Sequence, residues 1–102
     1  MYAQSQADYI DFHMYWDHPN FPNGWSNTDF TLNNKSILLN PEGSTINKMS
    51  LTKVKNMPHV LSEYNHPYPY IFQTEAPSLL FAYGSFFDLD GIMWHAYYDY
   101  MN

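Results

Sequence analysis

Glu63 lies in the run Val60-Leu61-Ser62-Glu63-Tyr64-Asn65-His66-Pro67-Tyr68-Pro69, directly after apolar residues and directly before a loop full of rings. Only 14% of the 102 residues are charged, so the placing of one acid carries information. A carboxylate does nucleophilic or proton-transfer chemistry only when its neighbours set its ionisation, and donors bonded to its charged form keep it ionised. Two donors with suitable spacing are His13 and Tyr15, on alternate positions of Tyr9–Tyr15, YIDFHMY. Trp94, in the apolar run IMWHAYY, adds a large flat face.

Three elements must bring these residues together. In YIDFHMY, Ile10, Phe12 and Met14 form one face and Tyr9, Asp11, His13 and Tyr15 the other, the period of a strand. A second strand is expected near 59–63, ending at Glu63, and a third near 91–98. Between the first two, residues 16–47 are rich in Pro, Gly, Asn and Ser, including the turn signal Pro22-Asn23-Gly24. A long loop is expected there, with a helical turn near Ser36–Leu39 and a short helix over Lys48–Lys55. The main helix is expected near 74–88. Thr74 suits its N-cap, Glu75 its positive end, and Leu79, Ala82, Tyr83, Phe86 and Phe87 form its packing stripe. Strands alternating with helices predict an α/β fold with parallel βαβ units. The strand C-termini would then carry the site.

Composition narrows the classes. Apolar residues make up 45% of the chain and aromatic ones 20%, enough for one core with rings to spare. Such rings suit sugars, ring-bearing ligands and protein partners. The net charge is −6, and Lys35, Lys48, Lys53 and Lys55 are too few and too scattered to displace phosphate counterions. No nucleic-acid partner is expected. No segment approaches the ~20 apolar residues of a membrane span, and no membrane partner is expected. Without cysteine there is neither a disulfide framework nor a thiolate metal site. His13, Asp17 and His18 offer imidazole and carboxylate to a metal, but their spacing matches no strong template, and neither metal nor cofactor is expected.

With these elements in place the sequence resembles a known family. DFHMYWDHPNFP, then SEYNHPYP, then TEAPSLLFAYGSFFDLDGI are similar to the last three βα units of clan A (β/α)8-barrel glycoside hydrolases, the cellulase and β-galactosidase-like superfamily. The resemblance implies a partial TIM barrel over residues 9–98. It also implies a His-x-Tyr pair at the sixth strand (His13 and Tyr15) and a catalytic nucleophile at the end of the seventh (Glu63). Trp94 is the matching sugar-stacking aromatic of the eighth. Trp16, Trp25 and Trp94 would stack on pyranose rings, and His18, Asn65 and His66 would donate to hydroxyls of a carbohydrate substrate.

The family's acid/base, a Glu after Asn on the fourth strand, has no counterpart, since no Asn-Glu dipeptide occurs. Retaining hydrolysis needs two carboxyl groups about 5–5.5 Å apart. Residues 1–102 are therefore expected to form one incomplete domain that holds the nucleophile of a glycosidase and is inactive alone. An open barrel edge invites self-association. The alternative is a non-catalytic carbohydrate-binding or protein-interaction module, which needs neither a second carboxylate nor a closed barrel.

Overall fold

A computed structural model describes residues 3–96. Its element order is a 3₁₀ turn (Gln4–Gln6), β1 (Ile10–Tyr15), α1 (Thr45–Ser50), β2 (His59–Asn65), α2 (Glu75–Phe86) and β3 (Gly91–Trp94). The three strands form one parallel sheet in the order β1-β2-β3. This is an α/β fold. Residues 97 and 98 of the expected third strand lie outside the described residues.

The alternation expected in β1 sets the layering. Ile10 and Phe12 are buried and Met14 packs on the core, while His13 is exposed. From β2, Leu61 and Tyr64 join that core, and from β3, Ile92 and Trp94 pack against it. Ile46 and Met49 of α1, Ile37 of the long loop and Ala76, Leu79 and Leu80 of α2 complete one cluster. Both helices therefore cover the same face of the sheet. The other face, with Asp11, His13, Tyr15, Glu63 and Met93, has no helix over it among the described residues.

Several expectations are corrected. The short helix runs over Thr45–Ser50 rather than Lys48–Lys55: the Ser44 hydroxyl accepts from the Asn47 N–H and caps its start, and residues 51–55 are not helical. Ser36–Leu39 contains a hydrogen-bonded turn closed by Asn40 N–H to Ile37 C=O. Thr74 makes no side-chain cap. Its backbone is already helical, and the Glu75 and Ala76 amides are taken by Phe72 and Gln73 carbonyls of the preceding turn.

The packing stripe of α2 is also rotated from the one expected. Ala76, Leu79, Leu80 and Gly84 face the core, at i, i+3, i+4 and i+8, whereas Ala82 is exposed and Phe86 is 78% exposed. Gly84 explains the rotation. A Cβ there would stand 2.5 Å from Ile92 Cδ1, so α2 meets β3 at its one residue without a side chain.

Candidate active site

β2 is two residues longer than expected, and Glu63 lies inside it rather than at its end. Pairing with β1 runs Phe12 to Leu61 and then His13 to Glu63, so Ser62 is an extra residue on β2. The register to β3 also slips between Leu61 and Tyr64. Strict alternation would put Glu63 on the same side as Leu61, in the core. The bulge instead lets Leu61 and Tyr64, three apart, both turn inward at 0% exposure. Glu63 is thereby aimed at the open face, the re-aiming that bulges provide beside sites.

On that face Glu63 meets Tyr15 of β1 and the neighbourhood of His95, the residue that follows β3. The Tyr15 hydroxyl donates to Glu63 Oε1 in a short contact. His95 Nδ1 lies 3.1 Å from the same hydroxyl. A phenol has one proton and an ionised carboxylate can only accept, so the Tyr15 proton is committed to Glu63. His95 must therefore carry its proton on Nδ1 and donate to the Tyr15 oxygen. His13 Nδ1 stands 3.9 Å from Glu63 Oε2, too far for a hydrogen bond, and acts as a charge neighbour.

The Tyr15 hydrogen bond is the main cause holding the Glu63 carboxyl below its ordinary 4.5; desolvation opposes it, and His95 and His13 add to the lowering. A side chain 33% exposed and ionised at neutral pH is open to a ligand. The site is thus an ionised carboxylate held by a tyrosine, which is in turn held by a histidine.

The other expected site residues divide. Asn65 pairs with Tyr15 across the strands and returns Glu63's face by alternation. His18 lies beside the site, its ring edge-on to Tyr15 at 5.6 Å, with Nδ1–H donating to the Pro19 carbonyl at 2.8 Å. Trp16, His66 and Trp94 sit on the helix side instead. Trp16 Nε1 donates to the Lys35 carbonyl (2.7 Å) and the Tyr70 hydroxyl (2.8 Å). Trp94 packs on the core and its Nε1 donates to the Ala96 carbonyl at 3.1 Å.

His66 is fully buried, 3.1 Å from the Tyr64 hydroxyl, which lies 2.6 Å from Thr45 Oγ1. Burial lowers His66 to about 4 and raises Tyr64 to about 12, so both are neutral at physiological pH. These three side chains cannot reach a ligand on the open face.

His95 is the residue the sequence reading passed over. In Gly91–His95, alternation puts Ile92 and Trp94 on one side and Met93 and His95 on the other. Ile92 is the obvious core residue, so the signal for His95 was present.

No second carboxylate meets Glu63 among the described residues. The Glu75 carboxylate accepts from Ser36 Oγ at 2.6 Å and the Ile37 amide at 2.9 Å, pinning the long loop to α2. Glu42 is exposed in that loop. Asp17 accepts from the Asn33 amide at 3.1 Å and its side chain at 2.7 Å, and from the Asn34 amide. No three His, Asp or Glu among the described residues are grouped to hold a metal ion. Nor is any described helix long and apolar enough to cross a membrane. Comparisons with protein-family models, curated proteins and solved structures return no match for this chain.

Proposed function

We propose that this chain is the nucleophile-bearing wall of a retaining glycoside hydrolase, a three-strand arc of a (β/α)8 barrel. The observation that carries the reading is the aim of Glu63: an ionised carboxylate, turned by a bulge to the uncovered face and held by Tyr15. The sheet order supports it. Parallel strands adjacent in chain order, with both helices on one face, are the geometry of a barrel wall, whose inner face would be the open one.

In this role a Glu63 oxygen attacks the anomeric carbon as the glycosidic C–O bond breaks. The departing oxygen takes its proton from a second carboxylic acid, which none of the described residues sets beside Glu63. The chain is inactive without the wall that carries that acid. Catalysis here needs a nucleophile and an acid with pKa values pushed apart, and Tyr15 does this for the nucleophile.

A second reading has its own observation. The groups charging the surroundings of Glu63 are imidazoles, not a carboxyl. A non-catalytic carbohydrate-binding module needs no more than that.

One experiment separates the two readings. Gluco-, galacto-, manno- and xylo-configured 2-deoxy-2-fluoroglycosyl fluorides lose fluoride without a proton, so labelling needs the nucleophile alone. Incubation with the full-length protein, then peptide mapping, is expected to place a fluoroglycosyl ester on Glu63 and none in Glu63→Gln. Sugar binding with no label from any of the four would leave the module and remove the hydrolase.

A further inference from the structure

Of the asparagines in this chain, only Asn23 is followed by glycine. That pair has a reaction of its own. The amide nitrogen of the following residue can attack the side-chain carbonyl carbon and close a cyclic imide, and glycine carries no side chain to hinder it. The surroundings leave the attacking side open. Asn23 and Gly24 are exposed in the expected Pro22-Asn23-Gly24 turn, where the Gly24 amide donates to the Phe21 carbonyl over a long 3.3 Å. Gly24 sits at φ 92, and no atom beyond its chain neighbours lies within 4 Å of where a Cβ would stand.

The carboxamide, by contrast, is held. Asn20 and Thr31 form an antiparallel bridge through two 2.9 Å hydrogen bonds, closing a small lobe. Across that lobe Asn23 Nδ2 donates to Asp29 Oδ2 at 2.9 Å. Asp29 is itself fixed, because Ser26 Oγ accepts from the Thr28 and Asp29 amides at 3.2 and 3.0 Å. A carboxylate can only accept, so the Asn23 amide is a partner it can use and a second carboxylate is not. We propose that Asn23 is a deamidation site restrained by Asp29, and that its conversion to a carboxylate releases the lobe.

The chemistry needs only water and hydroxide. The Gly24 nitrogen gives its proton to solvent base and bonds to Asn23 Cγ, the Cγ–Nδ2 bond breaks, and Nδ2 leaves as ammonia. Water then opens the imide at either carbonyl. One opening gives aspartate, the other isoaspartate, whose main chain runs through the former side chain. Both products lack the donor to Asp29 and both add a negative charge beside it. Asp90-Gly91 could close a similar imide, but the Asp90 carboxylate accepts from the His59 amide at 2.8 Å and Gly91 is held in β3 opposite Val60. That pair is expected to persist.

The test incubates the full chain in mildly alkaline buffer and follows its peptides by mass spectrometry, with isoaspartate read by enzymatic methylation. Asn23 is expected to convert before any other asparagine, Asn23→Gln to stay unmodified over the same period, and Asp29→Ala to convert several times faster than the native chain. Amide exchange by NMR reads the lobe. In Asn23→Asp the Asn20 and Thr31 amides should exchange roughly fivefold faster, and adding Asp29→Asn should restore them, because donor and acceptor then change places. The Ile10 amide, bonded to the Pro58 carbonyl, should not change. An Asn23 that persists, or converts after another asparagine, overturns the site. An unchanged rate in Asp29→Ala overturns the restraint, and unaltered exchange in Asn23→Asp overturns the release.

Discussion

The expectation that His66 faces a ligand and its observed burial make opposite demands on stability. His66 is fully buried beside Tyr64, and desolvation takes it from 6.5 to about 4, more than the Phe72 backbone, Glu75 and Asp17 raise it. A histidine whose folded pKa is depressed binds its proton more readily when unfolded. Its contribution is therefore complete above pH 6.5 and is lost as pH falls towards 4. From those two values, linkage gives a loss of about 1.4 kcal/mol at pH 5.5 and about 2.5 kcal/mol at pH 4.5, relative to pH 7.5. At about 4–8 °C per kcal/mol for a domain near this size, melting should fall by roughly 10–20 °C over that range.

The assay is urea unfolding of the native chain and His66→Gln at pH 7.5, 5.5 and 4.5. Glutamine keeps a polar partner for Tyr64 but does not titrate in this range. His59 is also buried, with its pKa lowered by burial first and then by Lys53, so both proteins retain that part of the slope. The difference between the two slopes isolates His66. Native protein is expected to lose about 2.5 kcal/mol more than His66→Gln by pH 4.5. Parallel loss would mean that His66 is not held neutral in the core, and would return it to the solvent side where a sugar could reach it.

Three further outcomes are expected. Tyr15→Phe removes the main cause of the low Glu63 pKa, so the Glu63 carboxyl should titrate at higher pH in carbon-detected NMR; an unmoved titration would refute the contact. His95→Leu should raise it part-way while His95→Asn, which keeps an N–H donor, should raise it less, and equal effects would show that His95 acts by charge alone. Gly84→Ala gains about 1 kcal/mol of helix preference but sets Cβ against Ile92 Cδ1; Ile92→Val deletes that atom, so the double variant should exceed the sum of the singles by about 1 kcal/mol in thermal unfolding, and simple additivity would refute the close approach.

Where the sequence was legible, a single physical rule sufficed. The faces of β1 follow from alternation, because no bulge occurs within Ile10–Tyr15 on that strand's own side. The turn at Pro22–Gly24 follows from Pro and Gly at their usual positions. The start of α1 was equally available in Ser44, three residues before the Asn47 amide it caps, but six residues give a helix too little periodicity to draw attention. The face of α2 was not available from apolar counting. Phe81, Tyr83 and Phe86 outweigh Gly84 on any hydrophobic scale, yet the glycine decides the contact because only it admits Ile92. Three-dimensional proximity, not residue type, settled that helix.

The same limit applies with more force at the site. Read as a regular strand, Leu61 and Glu63 share a face, and a buried Leu61 would bury the acid. Ending the strand at Glu63 avoids the conflict by making the acid a loop residue, but β2 continues to Asn65. The extra residue at Ser62 resolves it, and the cost is local, one unpaired position beside Phe12 and His13. Its gain is that Tyr64 can enter the core and bond Thr45 while its neighbour Glu63 meets Tyr15 across the strand. A core tyrosine and a surface carboxylate in adjacent positions each pin the backbone from opposite sides, so the carboxylate is held without a loop to position it. That backing also explains why Trp94 and His66 are absent from the site. Both are spent on the inner side of the layer that Glu63 and His95 present outward.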